Sequence, residues 1–148
     1  MNQQIDPRGP QFAAAVTVVL LAAVLLLAPH PVGIAILVLQ TVLFGLGAGL
    51  GVRNTPHAWV FARLIRPQLA PPAELEDAAP PRFAQAVGFG FAVVGLIGYA
   101  AGSEVTGAVA VGFALAAAFL NAAFRFCLGC EVYLVLKRLT GRRTTVHP

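Results

Sequence analysis

The sequence predicts an all-α integral membrane protein, a four-helix bundle with a short interfacial helix in its central loop. Three observations carry that reading. Hydrophobic residues make up 58% of the 148 residues and charged residues only 11%, where soluble domains carry roughly a quarter. The apolar residues gather into four continuous runs instead of alternating, which excludes a membrane β-barrel. All ten Lys and Arg residues fall outside those runs, so lipid must cover apolar faces that water cannot.

The runs span residues 12–28, 32–52, 83–101 and 105–124, within one membrane domain that covers residues 1–148. Each is long enough to cross ~30 Å of hydrocarbon at about 1.5 Å per residue. Pro29, His30, Pro31 and Gly33 make an uncharged turn between the first two, and Gly102, Ser103 and Glu104 join the last two. The first run is read as retained, because Ala-Pro-His-Pro is not a small-x-small cleavage site.

Charge placement sets an expected orientation. Arg8 precedes the first run, Arg53, Arg63, Arg66 and Arg82 lie in the loop 53–82, and Arg125, Lys137, Arg138, Arg142 and Arg143 lie in the tail 125–148. The two opposite turns carry none. The positive-inside rule then puts both termini and the central loop in the cytoplasm. The net charge of +4 is matched to anionic headgroups, so the expected partner is the bilayer and not nucleic acid.

In the loop, Asn54, Thr55 and Pro56 offer a cap followed by proline at the first helical position. The next residues set Trp59, Val60, Phe61, Leu64 and Ile65 among Arg63 and Arg66, the pattern of a short helix lying on headgroups with Trp59 as anchor. Residues 67–81 are proline-rich and acidic and read as an extended surface segment. Gly45/Gly49, Gly47/Gly51 and Gly98/Gly102 recur at four-residue spacing, which lets helices approach closely within the bundle or across a homodimer seam. Gln40, Thr41, Gln85 and Asn121 are candidates for hydrogen bonds between helices.

The feature that points to chemistry is Cys127-Leu128-Gly129-Cys130, where the fourth run ends. Three-residue spacing on a helix puts both sulfurs on one face. Such a pair can cycle as a dithiol, pack inertly, or ligate metal. Metal ligation is the least favoured, since only His57 offers a further ligand near the same side. If the fourth helix continues through the pair, its dipole disfavours a thiolate; if Gly129 breaks it and a new helix starts near Cys130, the thiolate is favoured. Arg125 would assist a thiolate and Glu131 would oppose it. A reducing cytoplasm would argue against a permanent disulfide.

Three segments together carry a family resemblance: Ile5-Asp6-Pro7-Arg8-Gly9-Pro10-Gln11-Phe12, Pro80-Pro81-Arg82-Phe83-Ala84-Gln85, and Phe126-Cys127-Leu128-Gly129-Cys130-Glu131-Val132-Tyr133. The pattern resembles the uncharacterised bacterial membrane family known as domain of unknown function 4395. The resemblance implies a bacterial inner-membrane protein with a paired-cysteine signature, and it supplies no activity and no cofactor. On the orientation above, all three segments lie on the cytoplasmic side, so Arg8, Arg82 and Arg125 are expected to meet Asp6, Glu131 or the cysteines in one cluster. Snorkelling of those arginines to headgroups explains the same placement.

The leading functional expectation is a thiol-redox or sulfur-handling component in which Cys127 and Cys130 act with a cytosolic thioredoxin-like or sulfur-carrier partner. The alternative is a non-enzymatic scaffold or accessory subunit, with a small-molecule permease third. The chain shows no quinone- or haem-binding signature, and no Asp, Glu or Lys lies deep in any run to couple transport to protons.

Overall fold

The computed structural model describes residues 3–141. The four apolar runs become helices α1 (Arg8–Leu27), α2 (Pro31–Gly49), α4 (Ala79–Ala100) and α5 (Glu104–Phe124), each long and apolar enough to cross a membrane. Between α2 and α4 lies the short α3 (Pro56–Val60), which continues as a π turn over Phe61–Ile65 and a 3-10 turn over Arg66–Gln68. A further helix, α6 (Leu128–Gly141), follows α5.

The helices begin and end where the local chemistry allows. Pro31 opens α2, and the His30 ring accepts the Val32 N–H at 3.2 Å. Helix α4 starts at Ala79, ahead of its apolar run, and takes Pro80 and Pro81 into its first turn. Residues 80 and 81 therefore belong to the helix and not to the extended segment expected of 67–81. The first turn has no intrahelical use for those missing N–H groups, so the prolines cost little there. Ser103 caps α5 through the Thr106 N–H, and Thr55 caps α3 through the Ala58 N–H.

The long helices close a ring in which α1 packs on α2, α2 on α4, α4 on α5, and α5 back on α1. Its centre is apolar, built from Leu21, Val24, Leu37, Phe44, Ala92, Val111 and Ala114. Small residues set how closely the helices come. A Cβ added to Gly98 would stand 2.6 Å from the backbone nitrogen of Gly107, so α4 and α5 touch backbone to backbone there. Without a hydrophobic driving force between helices in lipid, such close packing supplies much of the association energy. Large apolar side chains such as Leu26, Val42, Ile97 and Phe113 point outward and suit a lipid surface.

One buried polar pair joins α1 to α2. Gln40, almost fully buried, donates from its amide nitrogen to the Thr17 hydroxyl at 3.4 Å, while its amide oxygen has no partner. Thr41 instead bonds back to the Leu37 carbonyl within its own helix.

The end of the bundle that carries the long loop also carries Arg8, Arg53, Arg63, Arg66, Arg82 and Arg125. There, strand β1 (Gln4–Ile5) pairs antiparallel with β2 (Glu76–Asp77), with Gln4 opposite Asp77 and Ile5 opposite Glu76. This short ladder ties the start of the chain to the loop. Phe61 is buried against Phe12, with ring centroids 6.1 Å apart, whereas Trp59 is exposed and stacks with Arg63. Phe61 thus pins α3 to α1 and leaves Trp59 free to meet an interface.

Candidate functional site

Helix α5 ends because Arg125 turns into the left-handed region at φ 55°. Its N–H bonds back to the Asn121 carbonyl at 3.0 Å, and the Phe126 N–H reaches the Leu120 carbonyl at 3.2 Å. Helix α6 then starts at Leu128, which places Cys127 at its cap. The Cys127 carbonyl accepts the Glu131 N–H at 3.0 Å, and the Cys127 sulfur accepts the Cys130 N–H at 3.3 Å. Of the two local geometries open on sequence grounds, the chain adopts the restarted helix. Its break falls at Arg125 and not at Gly129.

Both sulfurs therefore sit in the first turn of a helix, where unpaired N–H groups favour negative charge. Cys127 and Cys130 are joined by a disulfide, with Cα atoms 5.1 Å apart. Gly129 lies between them for a packing reason. A Cβ at that position would stand 2.6 Å from both Cα and Cβ of Ala84, so the glycine lets α6 dock on α4. Tyr133 extends the contact against Phe83, with ring centroids 5.8 Å apart.

Cys127 lines two cavities, and Cys130 lines one of them. The first, about 390 Å³, is the more polar of the two and lies at the loop-bearing end. Arg8, Gln11, Glu76, Asp77, Arg125 and Glu131 line it together with both cysteines. Arg8 reaches it while forked onto Asp6, with its Nη2 at 2.7 Å and its Nε at 3.0 Å from the two carboxylate oxygens. That fork holds the Asp6 carboxyl below the usual carboxylate range, and partial burial opposes it. The second cavity, about 340 Å³, is apolar and extends into the bundle between α1, α4 and α5, with Cys127 at one end.

The expected supporting residues divide on this geometry. Arg8, Arg125 and Glu131 share the polar cavity with Cys127 and Cys130. Arg82 does not join them. Its guanidinium donates to the Ala48 and Gly49 carbonyls at 2.6 and 2.8 Å, satisfying the end of α2. His57 lines a separate pocket with Asp6, Arg53 and Arg66, away from the sulfurs, and burial holds its imidazole below the usual value. Among the described residues no group of three His, Cys, Asp or Glu side chains is placed to hold a metal ion.

The glycine pairs divide as well. Gly45 packs on the Phe89 ring and Gly98 on Gly107, but Gly49 has open space around it and Gly102 forms a turn at φ 79°. Their four-residue spacing did not put them in the same contacts. Two residues of the polar cavity, Glu76 and Asp77, were legible only as part of an acidic loop. The strand pairing with Gln4 and Ile5 brings them to the sulfurs, and no local pattern announces it.

Fold and site together define a membrane protein of four apolar helices with a close cysteine pair at one end. The chain belongs to the family described as domain of unknown function (DUF4395), whose profile matches residues 5–138. That match takes in the chain from Ile5 through α6 as far as Arg138. No curated protein and no solved structure matches the chain.

Proposed function

We propose that this protein is a thiol-redox component of the bacterial cytoplasmic membrane, with both termini in the cytoplasm. It exchanges electrons through Cys127 and Cys130 with a soluble thioredoxin-like dithiol partner. The observation that carries the proposal is the position of the pair, at the start of α6 and lining a polar cavity on the arginine-bearing end. The positive-inside rule assigns that end to the cytoplasm. Thiol-reducing systems there make a disulfide a substrate for exchange and not a permanent staple.

The arrangement also favours one order of exchange. A partner thiolate attacks Cys130, the Cys127–Cys130 bond breaks, and Cys127 leaves as a thiolate. Cys127 is the better leaving group because its sulfur already accepts a backbone N–H. The second partner thiol then attacks the mixed disulfide and releases Cys130. Two electrons and two protons pass to the pair, and the partner becomes a disulfide. Arg125 beside the sulfurs favours the departing thiolate.

The test uses the full chain, oxidised, in lipid nanodiscs with reduced thioredoxin. The proposal expects the Cys127–Cys130 bond to open. It also expects a mixed disulfide to accumulate when the thioredoxin lacks its second cysteine. A bond that resists folded thioredoxin, yet opens to dithiothreitol once the protein is denatured, would overturn the proposal.

A further inference from the structure

The apolar cavity has a shape and a lining that thiol exchange with a soluble partner does not need. Its walls are Ala14, Phe44, Gly88, Ala114, Ala117 and neighbouring apolar groups, and its volume of about 340 Å³ falls in the range of small-molecule sites. Phe91 and Phe113, whose rings lie 6.0 Å apart, line it while standing exposed on the outer surface of α4 and α5. The cavity therefore reaches the face that lipid would cover.

Its polar groups are few and sit apart. Thr17 lies deep in the bundle, and Gln85, Asn121 and Cys127 lie toward the loop-bearing end. The Thr17 oxygen accepts from Gln40, which leaves the hydroxyl hydrogen free to donate to something in the cavity. An acyl chain would make no use of these donors. A flat, apolar molecule with oxygen acceptors at its two ends would use the Thr17 hydroxyl at one end and the amide N–H groups of Gln85 and Asn121 at the other.

From this we infer that the cavity takes a membrane-soluble quinone, which reoxidises the Cys127/Cys130 dithiol. The inference rests on the thiol-exchange reading above and supplies its second substrate. In the net step two S–H bonds break and the Cys127–Cys130 bond forms. The quinone accepts the two electrons and two protons and leaves as hydroquinone. Cys127 is the sulfur that meets it, because Cys127 lines both cavities whereas Cys130 lines only the polar one. The protein then carries electrons from a soluble dithiol to the membrane's quinone pool. No sequence pattern announces such a site, because its wall is assembled from separate helices.

The experiment reduces the full chain in nanodiscs, removes the reductant, and adds decylubiquinone or a dimethylated naphthoquinone. Maleimide gel shift follows the thiols, and absorbance follows the quinone. One quinone should be consumed per disulfide formed. An Ala117→Phe variant, which fills the cavity, should slow that reaction about tenfold or more while still exchanging with thioredoxin. Thr17→Val should raise the quinone concentration needed for half-maximal rate about fivefold. Exchange with thioredoxin but no oxidation of the wild type by either quinone would overturn this inference and leave the thiol reading standing. Equal quinone rates in wild type, Ala117→Phe and Thr17→Val would overturn it too. Failure of both reactions would remove both readings.

Discussion

Gly129 and Ala84 meet so closely that a single added methyl group has no room. A Cβ on Gly129 would lie 2.6 Å from the Ala84 Cα, well inside van der Waals contact. Two effects oppose each other in Gly129→Ala. Helix propensity alone favours alanine by about 1 kcal/mol, whereas overpacking costs roughly 1–3 kcal/mol. Because the clash is with backbone and a short side chain, neither of which can rotate away, the overpacking wins. The variant should melt earlier in detergent, and maleimide should label its reduced cysteines faster as α6 lifts from α4. A higher melting temperature would show that the contact does not hold α6.

Arg125 ends α5 with a left-handed backbone that favours glycine, at a cost of roughly 1 kcal/mol for any other residue. Arg125→Gly should therefore raise thermal stability slightly. It should also slow exchange with thioredoxin by roughly two- to fivefold, because the positive charge beside the sulfurs is lost. Opposite movement of stability and rate separates the charge from the turn. If both fall together, Arg125 acts mainly through structure.

Arg82 belongs to the α2 terminus and not to the cysteines. Arg82→Ala should cost roughly 1–2 kcal/mol of stability by stranding the Ala48 and Gly49 carbonyls. Arg82→Lys should recover only part of that, since an ammonium cannot fork onto two carbonyls as the guanidinium does. Thermal unfolding in detergent reads the stability, and exchange with thioredoxin should stay within about twofold of the wild type. A large loss of exchange with unchanged melting would move Arg82 back into the site.

The Asp6–Arg8 fork carries a pH dependence of definite sign. The folded Asp6 carboxyl sits below its ordinary value, so its contribution is fully present at neutral pH. It is lost as pH falls from about 4 through the folded value. Asp6→Asn should destabilise the protein by roughly 1 kcal/mol at pH 7, a figure reduced by the partial exposure of Arg8. The difference from wild type should shrink as pH falls below the ordinary carboxylate value and through the lower, folded value of Asp6. A difference that stays constant across that window would mean the fork contributes no charge-dependent stability.

The fold was legible because its signals are local. Apolar runs and charge-free turns mark four helices, and Thr55 before Pro56 marks α3. The site was legible in part. Cys127 and Cys130 stood out by spacing, but where the helix breaks beside them did not. Stop signals lead one to expect glycine in the left-handed position, and here Arg125 occupies it while Gly129 sits inside the next helix. The tail helix α6 and its contact with Ala84 depend on which faces meet, as do the partners of Gly45 and Gly98. Glu76 and Asp77 reach the polar cavity only through a ladder between residues some seventy positions apart. The apolar cavity is further from sequence still, because its wall combines single faces of several helices.

The account depends above all on paired thiols that open and close on the cytoplasmic side of the membrane. Intact cells producing the full chain can be treated with a membrane-impermeant maleimide, then permeabilised and treated with a permeant one of different mass, with and without a brief oxidant pulse. The account predicts no labelling of Cys127 or Cys130 by the impermeant reagent. It predicts labelling of both by the permeant one before the pulse, and protection of both after it until dithiothreitol is added. Labelling of the reduced pair from outside the cell, or thiols that never become protected by oxidation, would contradict it.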